Sequence, residues 1–310
     1  MIVASSTCRV CGATEHTLVV ERVKDWEYGV EGEWAYRRCA SCGLLQLEPF
    51  PTVEDLVEAY DVDYHGYRTT AEKGRLYKLL FDVKDGLFKK KIAKVIPRGA
   101  ALLDVGCGSG EYLRRMSFLE PSRIDGIDFN ETAVELARSK GVNCFQGIFP
   151  DYPGEPDTYD AVFMNNYLEH TLDPGVEVEK ALRLLKPGGA LIGEVPNFRS
   201  VDRKVFGRYW GGNHVPRHTF QFEPGSLTAL LERAGFQDVR TNQELSSNHL
   251  TLSIQNWLQR KTPDLAANPR ITHGRTWYYN HLLLATAPVN LLFKLAGRSG
   301  VMKFFARKAG

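Results

Sequence analysis

Ala101-Leu102-Leu103-Asp104-Val105-Gly106-Cys107-Gly108-Ser109-Gly110 is the stretch that decides the fold. An apolar run that ends on an acid and breaks into alternate glycines predicts a buried strand, a tight turn and a helix over about Glu111–Met116. Glycines in such a turn let the backbone bend sharply and let a ligand approach the main chain without meeting a Cβ. A dinucleotide fingerprint needs glycine at 106, 108 and 111, but Glu111 stands at the third position. A carboxylate at a helix N-terminus repels a pyrophosphate, so the loop suits a nucleoside without phosphates. Taken alone, it also fits an ordinary strand–helix turn.

The flanking sequence narrows the choice. Arg123–Asp128 predicts a second strand, and Asp128 at its tip is where a ribose diol is held, because one carboxylate accepts both hydroxyl protons. A helix over Glu131–Lys140, a short strand Val142–Gln146 and a strand Tyr159–Met164 follow. Asn165, Asn166, Tyr167, Leu168, Glu169 and His170 come directly after that strand. A helix from about Pro174 to Leu185 then meets a turn, Lys186-Pro187-Gly188-Gly189, which feeds the strand Ala190–Val195. From Leu102 to about Phe236 this order resembles the class I S-adenosylmethionine-dependent methyltransferases, on the run LLDVGCGSG, Asp128, the strand YDAVFMNN and the turn LKPGG. The resemblance implies an α/β fold: a seven-stranded, Rossmann-like, mostly parallel sheet with its last strand antiparallel. It also implies that Asp104, Gly106, Cys107, Gly108, Gly110, Asp128, Phe129 and Asn165 hold S-adenosylmethionine, with Ile148 near the adenine.

A chain of 310 residues can bury a substantial core, and its 43% hydrophobic and 25% charged residues are those of a soluble globular protein. A net charge of +2 gives no global pull toward nucleic acid or anionic lipid. No N-terminal stretch reads as a secretory signal, and His281–Ala296 is too short and too interrupted to span a bilayer. A cytoplasmic protein is expected.

Four of the six cysteines form two C-x-x-C knuckles, Cys8/Cys11 and Cys39/Cys42, each followed by glycine. Two thiolate pairs at that spacing complete a tetrahedral Zn²⁺ site with no open position, so the expected zinc is structural. The gap between the knuckles leaves room for a hairpin through Leu18–Val23 and Glu33–Arg38. Cys107 fits the glycine loop as a small side chain, and Cys144 reads as buried. The domains expected are a zinc-binding module over 1–50, a helical linker or lid over 51–97 with a helix from about Ala71 to Val95, and the methyltransferase domain over 98–310.

Two further segments invite a functional reading. Tyr60–Tyr67 mixes tyrosines with acids, and Tyr64 and Tyr67 are candidate acceptor contacts, with Asn166, Tyr167 and Arg217. The other is Tyr209–Phe220, where glycines and proline disfavour regular structure while His214, Arg217, His218 and large aromatics crowd a loop at the ligand-binding edge of the sheet. A helix over Leu227–Ala234, a strand over Gln237–Thr241 and a last strand over Val301–Ala306 close the fold. Between those strands, residues 247–296 predict a mostly helical insertion, compatible with a lid, a homodimer contact or a peripheral membrane surface.

The order of cysteine module, acidic tyrosine-rich segment, Arg217-His218-Thr219-Phe220 loop and Gly235-Phe236 is similar to bacterial methyltransferases of sugar and secondary-metabolite pathways. In the sugar C-methyltransferases of that group a Glu-His pair in this loop supplies the base. Here the positions are Arg217 and His218, and the chain lacks their further C-terminal domain. Both departures favour O-methylation of a sugar hydroxyl or another small acceptor over C-methylation. His218 is then the expected base, with His170 and His214 in reserve, since imidazole titrates near neutrality. A small-molecule or glycan acceptor is expected and nucleic acid is not. One rival is a zinc-containing RNA base methyltransferase, which predicts a basic surface around the metal. The module instead mixes Glu21, Asp25, Glu27, Glu31 and Glu33 with its arginines. The other rival is a non-catalytic cofactor-binding subunit, against which the candidate bases argue.

Overall fold

The computed structural model describes residues 7–60, 85–86, 88–245, 248–261, 271–272 and 275–310. Tyr64, Tyr67 and most of the helix expected over 71–95 lie outside the described residues.

The chain opens with an antiparallel meander, β1 (His16–Val23), β2 (Trp34–Cys39) and β3 (Leu45–Glu48), as the hairpin expectation required. The cysteine knuckles are the turns at its ends. Gly12 and Gly43 both stand at φ +73°, and their N–H groups donate back to the carbonyls of Cys8 and Cys39 (2.8 and 3.0 Å). A side chain is strained in that left-handed region, which is why each pair is followed by glycine.

Helix α1 (Val53–Tyr60) leads toward the second unit: β4 (Ala101–Val105), α2 (Glu111–Arg114), β5 (Arg123–Asp128), α3 (Glu131–Ser139), β6 (Asn143–Gln146), β7 (Tyr159–Asn165), α4 (Pro174–Leu184) and β8 (Leu185–Pro196). There follow α5 (Val201–Phe206), β9 (Phe220–Gln221), α6 (Pro224–Arg233), β10 (Gln237–Glu244), α7 (Asn248–Gln259), the short pair β11 (Ile271–Thr272) and β12 (Arg275–Thr276), α8 (Tyr279–Leu295) and β13 (Val301–Arg307). Seven of these strands form one sheet in the order β10-β13-β8-β7-β4-β5-β6. Strands β4 to β8 pair in parallel, and β13 runs antiparallel between β8 and β10, as expected.

All five residues of β4 are buried, because a parallel strand is covered on both faces. The alternation of side chains divides them between two cores. Leu103 and Val105 join Val162, Met164 and Leu191 on one face, while Leu102 joins Ala161 and Phe163 on the other. The turn expected at Lys186–Gly189 is present as an irregularity inside β8: Gly188 stands at φ +76°, the register with β7 jumps between Tyr159↔Leu185 and Ala161↔Ala190, and the Lys308 N–H donates to the Gly189 carbonyl (3.0 Å). The first helix ends at Arg114, two residues short of the expected Met116, and a 3-10 turn over Ser117–Leu119 follows.

The meander takes a fourth strand from far along the chain. Strand β9 pairs with β3, with Leu45 opposite Gln221 and Gln46 opposite Phe220. The core beneath is shared: Val23, Trp34, Tyr36, Leu45 and Leu47 pack with Phe198, Trp210 and Val215. Arg38 adds a two-pronged contact to Glu223 (2.8 and 3.1 Å), the cap of α6. The described residues of the insertion include the helices α7 and α8, as expected, with the short pair β11 and β12 between them, and α8 exposes Leu284, Leu292 and Leu295. Among the described residues no helix is long and apolar enough to cross a membrane.

Trp210 is buried in the shared core, and its Nε1–H donates to Asp202 Oδ2 (3.0 Å). Trp210→Ala is expected to lose about 3–5 kcal/mol in urea unfolding. The accessibility of the module cysteines to a thiol reagent should then rise in the same transition as the tyrosine fluorescence change. Loss of stability with no earlier exposure of those thiols would contradict a shared core.

Candidate active site

The glycine bend is fastened to its neighbour strand. The N–H groups of Gly106 and Cys107 both donate to the Ile127 carbonyl (2.8 and 3.0 Å), and the Gly108 N–H donates to Asp128 Oδ2 (2.9 Å). The other oxygen of Asp128 accepts the Asn130 N–H (2.9 Å), so one carboxylate spans both loops while keeping lone pairs for a ligand's hydroxyls. Burial pushes its pKa up, and these N–H bonds oppose the shift. Gly106 stands at φ +71°, and a Cβ there would meet the Tyr167 ring at 2.8 Å; at Gly108 a Cβ would meet nothing within 4 Å. The bend is thus packed beneath and open above, a cradle in which a nucleoside can touch backbone.

Gly106, Gly108, Asp128, Phe129, Gly147, Ile148, Asn166 and Tyr167 line one end of a cavity of about 730 Å³. Phe129 and Ile148 are half exposed at its rim and offer flat apolar contact to a base. Four residues named from the sequence are set back from the wall. Asp104 is buried at the end of β4, its pKa raised well above the usual carboxylate range by burial and then by the charge of Asp128. The Cys107 side chain points into the core, 3.4 Å from the sulfur of Cys144. Gly110 packs closely on Ala137 and Val142, and Asn165 lies against Tyr112.

The opposite end of the cavity is walled by His170, His214, His218, Glu169 and Glu27, with Val53, Leu56, Val57 and Tyr60 from α1 and Asn248, His249 and Leu252 from α7. The three imidazoles are in mutual contact, with ring centres 4.5 Å apart for His170–His218 and 5.0 Å for His214–His218. Their loop is held by the N-terminal sheet. The Tyr36 hydroxyl lies 2.9 and 2.7 Å from the carbonyls of Asn213 and His218, and Gln221 Nε2 donates to the Gly212 carbonyl (2.7 Å). Thr219 N–H donates to the Glu169 carbonyl (2.8 Å), tying this loop to the turn after β7.

Arg217 is not on the cavity wall, which corrects its expected role as an acceptor contact. It is fully buried; its Nη1 donates to Asp25 Oδ2 (3.0 Å), and its Nε and Nη2 donate to the Ala59 carbonyl (3.0 and 2.6 Å). Asp25 and Glu27, read as surface acids, are each only 3% exposed; the first anchors Arg217 and the second lies 3.3 Å from His214 Nδ1. A Glu–His pair absent from the loop is therefore assembled across the fold. The sequence spacing of 187 residues hid it.

Burial lowers the pKa of His170 to about 4 and that of His218 well below its ordinary value, the latter helped by the neighbouring imidazoles. Both are neutral at pH 7. His218 Nδ1 faces the Gly212 carbonyl (2.9 Å) and His170 Nδ1 faces the Arg217 carbonyl (3.2 Å). A carbonyl only accepts, so the His218 Nδ1 carries the proton and its Nε2 keeps a lone pair; His170 Nδ1 also meets the Tyr60 hydroxyl (2.8 Å), which can donate or accept, so the His170 lone pair sits on whichever nitrogen does not carry the proton. Glu169, between β7 and His170, is fully buried; among the described residues no other residue donates to its carboxyl oxygens, and burial raises its pKa to about 8, with its own N–H opposing the shift.

In the N-terminal unit the sulfurs of Cys8 and Cys42 are 3.6 Å apart, those of Cys11 and Cys39 are 3.5 Å apart, and all four lie within 4.8 Å of one another. Thiolates at the corners of a zinc tetrahedron are separated by about 3.8 Å. The cluster has the size and donor chemistry of such a site.

A family model described as a methyltransferase domain matches residues 76–241, and the chain belongs to that family. Its fold is that of the class I S-adenosylmethionine-dependent methyltransferases. Over 160 residues it is 31% identical to a ubiquinone biosynthesis O-methyltransferase of Xylella fastidiosa, covering 46% of this chain and 64% of that one. It is also 30% identical over 154 residues to a tRNA U34 carboxymethyltransferase of Methylococcus capsulatus, covering 46% of each. The chain spans less than two thirds of the length of both relatives. Among solved structures, a putative sarcosine dimethylglycine methyltransferase from Galdieria sulphuraria superposes with TM-score 0.51 at 16% identity, over 80% of this chain and 94% of that one. The open cradle above Gly108, beside Asp128, leaves room for a ligand to approach the main chain of the Gly106–Gly110 bend.

Glu177 accepts the Tyr167 hydroxyl proton (3.1 Å) and so steadies the floor of the glycine bend. Burial raises its pKa from 4.5 to about 7. The unfolded chain ionises this group first, so stability falls as pH rises from 4.5 to about 7 and is then level. Glu177→Gln is expected to match wild type below pH 4.5 and to exceed it by about 3 kcal/mol at pH 8 in urea unfolding, on the scale of 1.36 kcal/mol per pH unit. Parallel stability curves for the two proteins would contradict the assignment.

Proposed function

We propose that this methyltransferase methylates a hydroxyl of a small-molecule acceptor held between α1, α7 and the histidine wall. The observation that carries this reading is the single cavity joining the nucleoside cradle at Gly106, Gly108 and Asp128 to three clustered histidines. The sulfonium of S-adenosylmethionine supplies the methyl group when bound. Asp128 would hold the ribose hydroxyls, and Phe129 and Ile148 would flank the adenine. His218 Nε2 would take the hydroxyl proton as the oxygen is methylated, with His170 and His214 shaping the acceptor's polar side. Fixing the partners supplies about 7–11 kcal/mol of the barrier, and a placed base adds about two to four decades.

Val53, Leu56, Val57 and Leu252 give the acceptor end apolar walls, which supports a ligand with a hydrophobic body. The names of the O-methyltransferase relatives agree with oxygen as the atom methylated. Nothing in the compared names points to sugars, so the acceptor proposed is broader than the sugar hydroxyl expected from sequence. A structural Zn²⁺ held by Cys8, Cys11, Cys39 and Cys42 completes the reading.

Transfer of a tritiated methyl group to a panel of phenolic, catecholic and nucleotide-sugar acceptors tests it. His218→Ala should bind S-adenosylmethionine in calorimetry within about threefold of wild type yet transfer methyl about 10²–10⁴-fold more slowly. Undiminished transfer by that variant would remove His218 from the chemistry.

A further inference from the structure

Three electron-pair donors converge at the acceptor end of the cavity with nothing positive between them. One atom each of Glu169, His170 and His218 lies within 4.8 Å of the other two. His218 presents a lone pair at Nε2, because its Nδ1 proton is committed to the Gly212 carbonyl, and neutral His170, whose Nδ1 meets both the Tyr60 hydroxyl (2.8 Å) and the Arg217 carbonyl (3.2 Å), keeps a lone pair on one ring nitrogen. Among the described residues no other residue donates to either Glu169 oxygen, although Glu169 is 0% exposed. A buried carboxyl without a partner is costly, and here its neighbours on the cavity side are themselves acceptors. The nearby guanidinium of Arg217 faces away, on Asp25 and the Ala59 carbonyl.

We propose that Glu169, His170 and His218 form a binding site for one divalent transition-metal cation at the floor of the acceptor pocket. Two neutral imidazoles and one carboxylate suit a borderline first-row ion such as Mn²⁺, Fe²⁺ or Co²⁺ better than Mg²⁺ or Ca²⁺, which favour all-oxygen shells. Backbone carbonyls already orient both rings through Nδ1, the outer-shell arrangement that fixes an imidazole for metal ligation. All three residues also line the cavity, so the remaining coordination positions would face it and take oxygen atoms of the acceptor. The inference rests on reading this end of the cavity as the acceptor site. It changes the part played by His218, which in the loaded protein holds the ion through the same Nε2 that would otherwise take the proton.

The probe is Mn²⁺, titrated into the full chain and followed by electron paramagnetic resonance, without chelators that would strip the four-cysteine cluster. One ion per chain is expected, with spin-echo modulation from two imidazole nitrogens. Glu169→Gln should weaken binding at least about tenfold, and His218→Ala should leave the modulation of one imidazole. S-adenosylmethionine affinity in calorimetry should stay within about threefold for Glu169→Gln, showing an intact fold. Absence of bound Mn²⁺, or equal binding by Glu169→Gln, overturns the metal site and leaves Glu169 sharing a proton with its histidines. Methyl transfer that is indifferent to Mn²⁺ but lost in His218→Ala would uphold the base and reject the metal. Specific Mn²⁺ binding without transfer to any acceptor would do the reverse.

Discussion

Arg217 joins three segments that are far apart in sequence, and the acceptor side of the cavity depends on that junction. Its guanidinium ties the histidine loop to Asp25 of the N-terminal unit and to the end of α1 at Ala59. All of this happens out of water, where an unpaired charge would cost several kcal/mol. A buried pair of this kind contributes little net stability against a hydrophobic replacement; what it contributes here is a fixed geometry. With Arg217 locked, its own carbonyl is placed to hold His170, and the following residue is His218.

The N-terminal unit therefore helps to build the histidine end of the cavity. Its strand β3 takes β9 as a partner, its Tyr36 hydroxyl reaches the His218 carbonyl, and its Glu27 reaches His214. The Cys39/Cys42 knuckle is the turn between β2 and β3, the two strands that carry Tyr36 and the pairing with β9, while the glycine bend is held separately by β5.

The sheet and the glycine bend were legible in sequence because their signals are local. A fully buried strand, alternate glycines and an acid at the next strand's tip each lie within a few residues of what they determine. The cysteine knuckles were legible for the same reason. The acceptor end was not, because its contacts join residues from about position 25 to about position 218, and no periodicity reports such pairing. Arg217 looked like a ligand contact since charged residues rarely lie fully buried; only the folded chain reveals Asp25 behind it. Asp25 and Glu27 likewise looked like surface acids. Glu169 carried no signal beyond its place after β7, and its weight comes from burial and the lack of a donor.

The proposed chemistry requires a sulfonium nucleoside on the Gly106–Gly110 bend with its reactive end toward the histidine loop. Hydrogen-exchange mass spectrometry with and without S-adenosylhomocysteine reads this docking residue by residue. Slowed exchange is expected over residues 106–110, 128–130 and 147–149, with a smaller effect at 214–218. Unchanged exchange at the glycine bend, with protection confined to the N-terminal sheet or to α8, would contradict it.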